Sequence, residues 1–381
     1  MKKVLVFGSS GSVGKNALSV IKKAPQEFKV AGLCTNQDIK TLEGQINEFK
    51  PKYVCVKDEA AAKKLEKKLK GKLKLFKGET GLKEFSSLTA DISVMAISGI
   101  SCLAPLVTNI KHVKRVALAN KESVVVAGKL VFLEARRRNT EILPVDSEIN
   151  ALFQLLKGND KQLKKVYLTA SGGPFFDYDK KDLKKVGPKE VLSHPTWQMG
   201  RRITVDSATL VNKGFEVIET ERFFNIGFEK IKVVIHRESA IHALVEYQDH
   251  TMFACLYPPD MKMPISFSLY YPRRAKAGGG IDFSKGFSLS FAPVDYKKYP
   301  LLGIVLDVAK REDNGLCVLN ACDEVTIQYF LEKKIKFSAI QKVMEYFSQH
   351  YPSKKIKSIE DVLYWDKWTR NKTGEYLDKL C

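Results

Sequence analysis

At 381 residues the chain is longer than one hydrophobic core normally serves, so two or three domains are expected. The apolar fraction of 44% is that of a globular protein, and no apolar run approaches the length of a bilayer-spanning helix, which excludes a helical membrane protein. Lysine and arginine outnumber aspartate and glutamate by 63 to 43, and the net charge of +20 suits either nucleic acid or anionic small molecules.

The N-terminus "MKKVLVFGSSGSVG" carries the paired lysines of a secretion signal, but "VLVF" is too short an apolar run and glycines follow it. It reads as a buried strand over residues 2–7, and the protein as cytoplasmic. The helix "KNALSVIKKA" comes next, then the strand "KVAGLC", a helix over residues 39–49, and the strand "YVCV" at 53–56. A helix near 59–70, "KLKLF", "DISVMAI" at 91–97 and "RVALA" at 115–119 continue the alternation. Strands alternating with helices predict a Rossmann-like parallel sheet covered on both faces, over residues 1–140. Short strands and Gly/Pro-rich loops over 141–271 predict a central α/β domain. The turn-rich stretch 272–296 reads as a connection, and from 297 to 381 the pattern is that of a helical bundle.

The densest basic run, "KKLEKKLKGKLKLFK" at 63–77, lacks the interleaved aromatics of a base-stacking platform. It reads as a solvated helix face, and a phosphorylated substrate accounts for the sign of the charge without nucleic acid. The seven cysteines are scattered and form no C-x-x-C pair, so neither a zinc knuckle nor a disulfide framework is expected.

Gly8, Gly11 and Gly14 in "FGSSGSVGKNAL" fall between a strand and a helix, where glycines let a pyrophosphate approach the backbone and the helix N-terminus offers free N–H groups. A tight structural turn is the competing reading. At the end of the second strand, "LCTNQD" offers Thr35, Asn36 and Gln37 before any acid, which leans to NADP over NAD; no arginine or lysine in that stretch meets a 2′-phosphate.

"PVDSEIN" places Asp146 and Glu148 two residues apart, and in an extended segment both point to one side. Two converging carboxylates call for a cation. A second polar cluster, "HPTWQMGRRITVDSATLVNKGFEVIE", holds His194, Trp197, Ser207, Asn212, Lys213 and Glu216. If its end is helical, Asn212 and Glu216 share a face and Glu216 is available as a third oxygen ligand. Three carboxylates suit Mg²⁺ or Mn²⁺ rather than zinc. Ser171, on the Gly-Gly turn of "TASGGPF", joins Ser207, Asn212 and Lys213 as donors for a phosphate and a polyol. Asp206 reads as a cap or turn residue. His242 is open between a core and a site role, and Phe253 and Cys255 read as core.

Together "GSSGSVGKNAL", "ALANKESVV", "PVDSEINALFQ", "TASGGPF", "HPTWQMGRRITVDSATLVNKGFEVIE" and "YPPDMKMPI" resemble the 1-deoxy-D-xylulose 5-phosphate reductoisomerase family over nearly the whole chain. The resemblance implies metal ligation by Asp146, Glu148 and Glu216, with Mg²⁺ or Mn²⁺ and Co²⁺ as a further candidate. It implies substrate contacts from Ser147, Ser171, His194, Trp197, Ser207, Asn212 and Lys213, and a place for Lys121 near the reacting centre. Lys121, Glu148, His194 and Glu216 are then the catalytic candidates. NADPH falls to Gly8, Ser10, Gly11, Ser12, Val13, Asn36, Gln37, Asn120, Glu122 and Gly200, and Trp197 with Met199 resembles a closing lid. A homodimer is implied. The chain departs from the family pattern at Ile149, which replaces a histidine, at Gln37, and at Arg237, which replaces a proline.

The implied reaction is rearrangement and NADPH reduction of a phosphorylated deoxy-sugar in isoprenoid precursor synthesis. A semialdehyde-type dehydrogenase is the rival enzyme and needs a nucleophilic cysteine, which no motif here supplies. A basic nucleic-acid-binding protein is the non-enzyme rival.

Overall fold

The computed structural model describes residues 1–69, 73–156, 162–178, 186–193, 200–284 and 286–380. His194, Trp197 and Met199 lie outside the described residues. The chain divides into two compact units: one of residues 1–123, 129–150 and 260–279, the other of residues 124–128, 151–259 and 280–381.

The first unit is built on seven strands: β1 (Lys2–Phe7), β2 (Phe28–Thr35), β3 (Tyr53–Val56), β4 (Lys74–Lys77), β5 (Ala90–Met95), β6 (Val113–Leu118) and β7 (Glu141–Pro144). They lie in the order β4-β3-β2-β1-β5-β6-β7, and every pairing is parallel. Helices cover such a sheet on both faces, which is why its central strands read as unbroken apolar runs. Val4–Phe7 and Val54–Val56 are wholly buried. The strand order reverses between β1 and β5, so the crevice for a ligand opens at their carboxyl ends.

The segment from residue 260 to 279 returns to this unit from far along the sequence. Its helix Lys262–Tyr270 lays Ile265, Leu269 and Tyr270 into the same core as Val4, Phe28 and Val30. Tyr270 packs edge-on against Phe28 at 4.9 Å, and the Arg115 guanidinium donates to the Ser268 and Leu269 carbonyls.

The second unit holds a mixed sheet of β8 (Leu163–Ala170), β9 (Ile231–Ile235), β10 (Ile241–Tyr247), β11 (Met252–Leu256) and β12 (Ala292–Pro293), ordered β11-β10-β8-β9-β12. Only β8 and β9 run parallel. The stretch expected to be a bare connection, 272–296, supplies β12. Pro293 lacks an N–H and is tolerated there because β12 is an edge. Helices Pro300–Ala309, Gly315–Leu331, Phe337–Gln349 and Ile359–Asp378 form the expected C-terminal helical part.

Two expectations for this unit fail. Phe253, expected in the core, is 57% exposed beside Met252 on the edge strand β11, and Cys255 is only half-buried. Asp206 neither caps nor turns: it lies inside helix Arg201–Thr209, 3.6 Å from Arg202. His242 resolves as a core residue, stacked on Tyr257 with its Nε2 3.1 Å from the Tyr257 carbonyl. Ile149 is fully buried.

Candidate active site and metal centre

The turn after β1 shows what each glycine is for. Gly8 has φ +77°, and a Cβ there would lie 2.4 Å from the Ala96 carbonyl oxygen, just beyond β5. A Cβ on Gly14 would meet the Gly8 oxygen at 2.3 Å, so helix Ser12–Lys22 can seat against the turn only without one. Gly11 is exposed, with φ −74°, and its nearest neighbour would be 3.4 Å away. Gly11 is the N-cap, no side chain caps this helix, and its first turn holds no acid. Its leading N–H groups and partial positive charge therefore suit an anion, and the cradle fits a dinucleotide pyrophosphate. Ser10 bonds Thr35 through its hydroxyl, Ser12 is exposed and Val13 is half-buried.

At the end of β2, Asn36 and Gln37 are exposed. Asp38 caps helix Ile39–Phe49 by accepting from the Thr41 amide at 3.1 Å. Hydrogen bonding from Thr41, first from its side chain and then from its backbone, holds the Asp38 carboxyl below its usual range, and Lys15 and Lys40 add to the effect. The acid is thus engaged as a cap. Two lysines stand close to it that the local stretch "LCTNQD" could not reveal, because one comes from the preceding helix.

Asn120 and Glu122 hold the loop after β5. The Asn120 amide donates to the Ile97 and Gly99 carbonyls at 3.1 and 3.0 Å, and Gly99 N–H donates to Glu122 at 3.1 Å. Asn120 also caps helix Lys121–Arg138. Lys121 begins that helix, is 7% exposed, and its Nζ lies 2.5 Å from Asp146 Oδ2.

Asp146 and Glu148 do not sit on an extended segment. β7 ends at Pro144 and helix Ser147–Leu155 starts at once, with Asn150 N–H donating to the Asp146 carbonyl at 2.8 Å. The two carboxylates come together at a helix N-terminus, where negative charge is favoured. The Ser147 hydroxyl donates to Glu148.

Glu216 lies on helix Val211–Phe224, separated from helix Arg201–Thr209 by Leu210 at φ +58°. The expected face sharing is present: the Asn212 amide and the Lys213 ammonium both donate to the Glu216 carboxylate, and Lys213 and Glu216 are 3% and 1% exposed. Ser207 lies in the last turn of the preceding helix. A Cβ on Gly173 would lie 2.7 Å from the Ser207 carbonyl oxygen, so the Ser171–Gly173 turn packs directly on it. Gly200, exposed, is the N-cap of that helix.

One ligand oxygen from each of Asp146, Glu148 and Glu216 lies within 4.8 Å of the other two. Three carboxylates without histidine or cysteine form an all-oxygen donor set, which fits Mg²⁺ or Mn²⁺. Four buried thiols are poor nucleophiles: hydrogen bonding to Cys34 pushes Cys55 up, and burial pushes Cys102 up and Cys317 and Cys322 up to about 12. A thiolate nucleophile needs the opposite shift.

Comparison with known proteins settles the family. The model described as 1-deoxy-D-xylulose 5-phosphate reductoisomerase matches residues 4–128, and two models of the family's C-terminal domains match residues 142–224 and 256–372. The 1-deoxy-D-xylulose 5-phosphate reductoisomerase of Thermoanaerobacter pseudethanolicus is 42% identical over 98% of this chain and 99% of its own length. The chain belongs to the 1-deoxy-D-xylulose 5-phosphate reductoisomerase family. A second relative, from Thermodesulfovibrio yellowstonii, is 43% identical over 97% of this chain and 98% of its own. A solved structure of DOX-P reductoisomerase in complex with NADPH, fosmidomycin and magnesium superimposes with a TM-score of 0.94 at 32% identity, covering 100% and 99% of the two chains. The Zymomonas mobilis reductoisomerase in complex with NADPH gives 0.92 at 34%, covering 99% of each.

Proposed function

We propose that the chain catalyses the reaction of its family: metal-dependent rearrangement of 1-deoxy-D-xylulose 5-phosphate and its reduction by NADPH to 2-C-methyl-D-erythritol 4-phosphate. The observation that carries this reading is the gathering of Asp146, Glu148 and Glu216. Asp146, Glu148 and Glu216 would hold a divalent ion, which would supply Lewis-acid polarisation of the sugar's neighbouring oxygens. Gly8, Ser10, Gly11, Ser12 and Val13, with Asn36, Gln37, Asn120, Glu122 and Gly200, would hold NADPH, which would supply the hydride.

The remaining roles follow from what the residues hold. Lys121, in a nearly buried ion pair with Asp146, fixes that carboxylate and brings a positive charge to the reacting end of the sugar. Ser147 orients Glu148 through its hydroxyl. Ser171, Ser207, Asn212 and Lys213 bind the phosphate and hydroxyls, remote binding that aligns the reacting carbons. Lys213 also orients Glu216, which links the phosphate end to the metal end. His194 and Trp197 belong to this proposal on the sequence resemblance.

A homodimer accompanies this reading. Its support is the edge strand β11, which exposes Met252 (50%), Phe253 (57%) and Leu256 (38%) along an unpaired margin of the sheet. An apolar open edge in a folded protein invites a covering partner. A cytoplasmic setting suits the six described cysteines, all free thiols. Among the described residues no helix is long and apolar enough to cross a membrane.

The deciding assay is oxidation of NADPH with 1-deoxy-D-xylulose 5-phosphate, run with Mg²⁺ and with a chelator. Turnover that stops with the chelator and returns with Mg²⁺ is expected. Turnover indifferent to the chelator overturns the metal role, and no turnover with Mg²⁺ overturns the function.

A further inference from the structure

The turn Ser171–Gly173 carries two successive residues with left-handed backbone, Gly172 at φ +79° and Gly173 at φ +67°. All three of its carbonyls are taken. The Arg237 Nη1 donates to the Ser171 and Gly173 carbonyls, both at 3.0 Å, and the Tyr299 hydroxyl donates to the Gly172 carbonyl at 3.0 Å. The rest of the guanidinium is committed too: Nη2 bonds the Asp177 carboxylate at 3.1 Å, and the group lies over the Phe176 ring at 5.1 Å. Glycine-rich backbone of this kind is entropically costly to hold in one shape. A fork of donors bridging its first and last carbonyls prevents either peptide from rotating without losing a charge-assisted bond.

We propose that Arg237 is a positioning residue for the substrate phosphate. It holds the Ser171–Gly173 turn, and with it the Ser171 hydroxyl, in the binding orientation, and it does not itself touch the phosphate. This rests on the phosphate-binding reading of Ser171 and Lys213. A positive charge acting directly on the phosphate is the rival role, and a planar two-carbonyl fork separates the two. Lysine keeps the charge but reaches one atom less far, and it has neither the second nitrogen that bonds Asp177 nor the planar face that lies over Phe176.

The test compares Arg237→Met, Arg237→Lys, Ser171→Ala, Lys213→Ala and the double variant Ser171→Ala/Arg237→Met by steady-state kinetics and thermal melting. If the Met variant does not fold, Arg237→Gln replaces it. KM for the sugar phosphate should rise roughly tenfold or more in Arg237→Met, with kcat and KM for NADPH changed by less than about threefold. Arg237→Lys should stay within about threefold of the Met variant. Because Arg237 acts through the turn, the double variant should be no worse than the weaker of its parents. Wild-type KM in the Met variant, recovery of wild-type KM by lysine, or fully multiplicative losses in the double variant would each overturn the proposal. If Lys213→Ala and Ser171→Ala both leave KM unchanged, the phosphate-binding reading itself has failed, whatever Arg237 does.

Discussion

Lys121 and Asp146 form a nearly buried ion pair, Nζ to Oδ2 at 2.5 Å, in which Lys121 begins one helix and Asp146 immediately precedes another. Asp146 is also one of the three carboxylates that fit a divalent ion, so the ammonium and the ion compete for one anion. Replacing Lys121 with Met should therefore lower the Mg²⁺ concentration needed for half-maximal activation, while kcat falls by roughly a hundredfold through loss of the positive charge at the reacting end. A Mg²⁺ titration of initial rates reads both. An unchanged or raised half-saturating Mg²⁺ concentration would contradict the competition.

Glu216→Gln keeps the shape of the side chain but removes its charge and weakens the bonds from Asn212 and Lys213. Turnover should drop by more than about a hundredfold at limiting Mg²⁺. NADPH affinity, followed by cofactor fluorescence, should hardly move. Wild-type-like rates at limiting metal would remove Glu216 from the ligand set.

The glycines of the β1 turn separate folding from binding. Gly14→Ala forces a Cβ to within 2.3 Å of backbone and should lower stability by about 1–3 kcal/mol. Gly11→Ala meets only a 3.4 Å neighbour and should leave the melting temperature nearly unchanged while weakening NADPH binding, since the new methyl group stands on the open side. Equal loss of stability in both variants would refute this division.

Glu246 on β10 has its carboxyl pulled down to about 2, chiefly by hydrogen bonds from Lys164 and then Tyr167. A folded-state value below the unfolded one means that the stabilisation is complete above the ordinary value of 4.5 and disappears as the pH falls towards about 2. The melting temperature of the native protein should thus fall more steeply across that acid window than that of Glu246→Gln. Parallel melting curves against pH would show that the carboxylate is not coupled to folding.

If β11 is the covered edge, Phe253→Lys should convert a dimer to a monomer in sedimentation equilibrium without loss of the fold. A charge on an exposed edge position blocks strand addition. A variant that remains dimeric places the interface elsewhere.

Much of this was legible in the chain because local rules and tertiary structure agree. The β1 turn announces itself by a buried strand, three glycines and an amphipathic helix, and Asn212 with Glu216 needed only the helical repeat. Other features depend on contacts that no local pattern encodes. The i, i+2 spacing of Asp146 and Glu148 predicts convergence if the segment is extended; the chain turns helical at Ser147, and the carboxylates meet at its N-terminus instead. Phe253 has the residue type and neighbours of a core strand, but β11 is an edge, and exposure there is set by the sheet order rather than by alternation. Asp206 answers to Arg202, whose guanidinium also reaches Asp323 at 3.0 Å and Glu324 at 3.1 Å, residues more than a hundred positions away.

The return of residues 260–279 to the first unit carries a practical consequence. No single scission of the polypeptide liberates the seven-stranded sheet together with its full apolar cover, because one of its covering helices is encoded after much of the other unit. A fragment stopped near residue 150 loses Ile265, Leu269 and Tyr270 and lays bare the side chains of Val4, Phe28 and Val30 that they shelter. Such a fragment should be sticky and poorly folded, so cofactor binding has to be measured on the intact polypeptide.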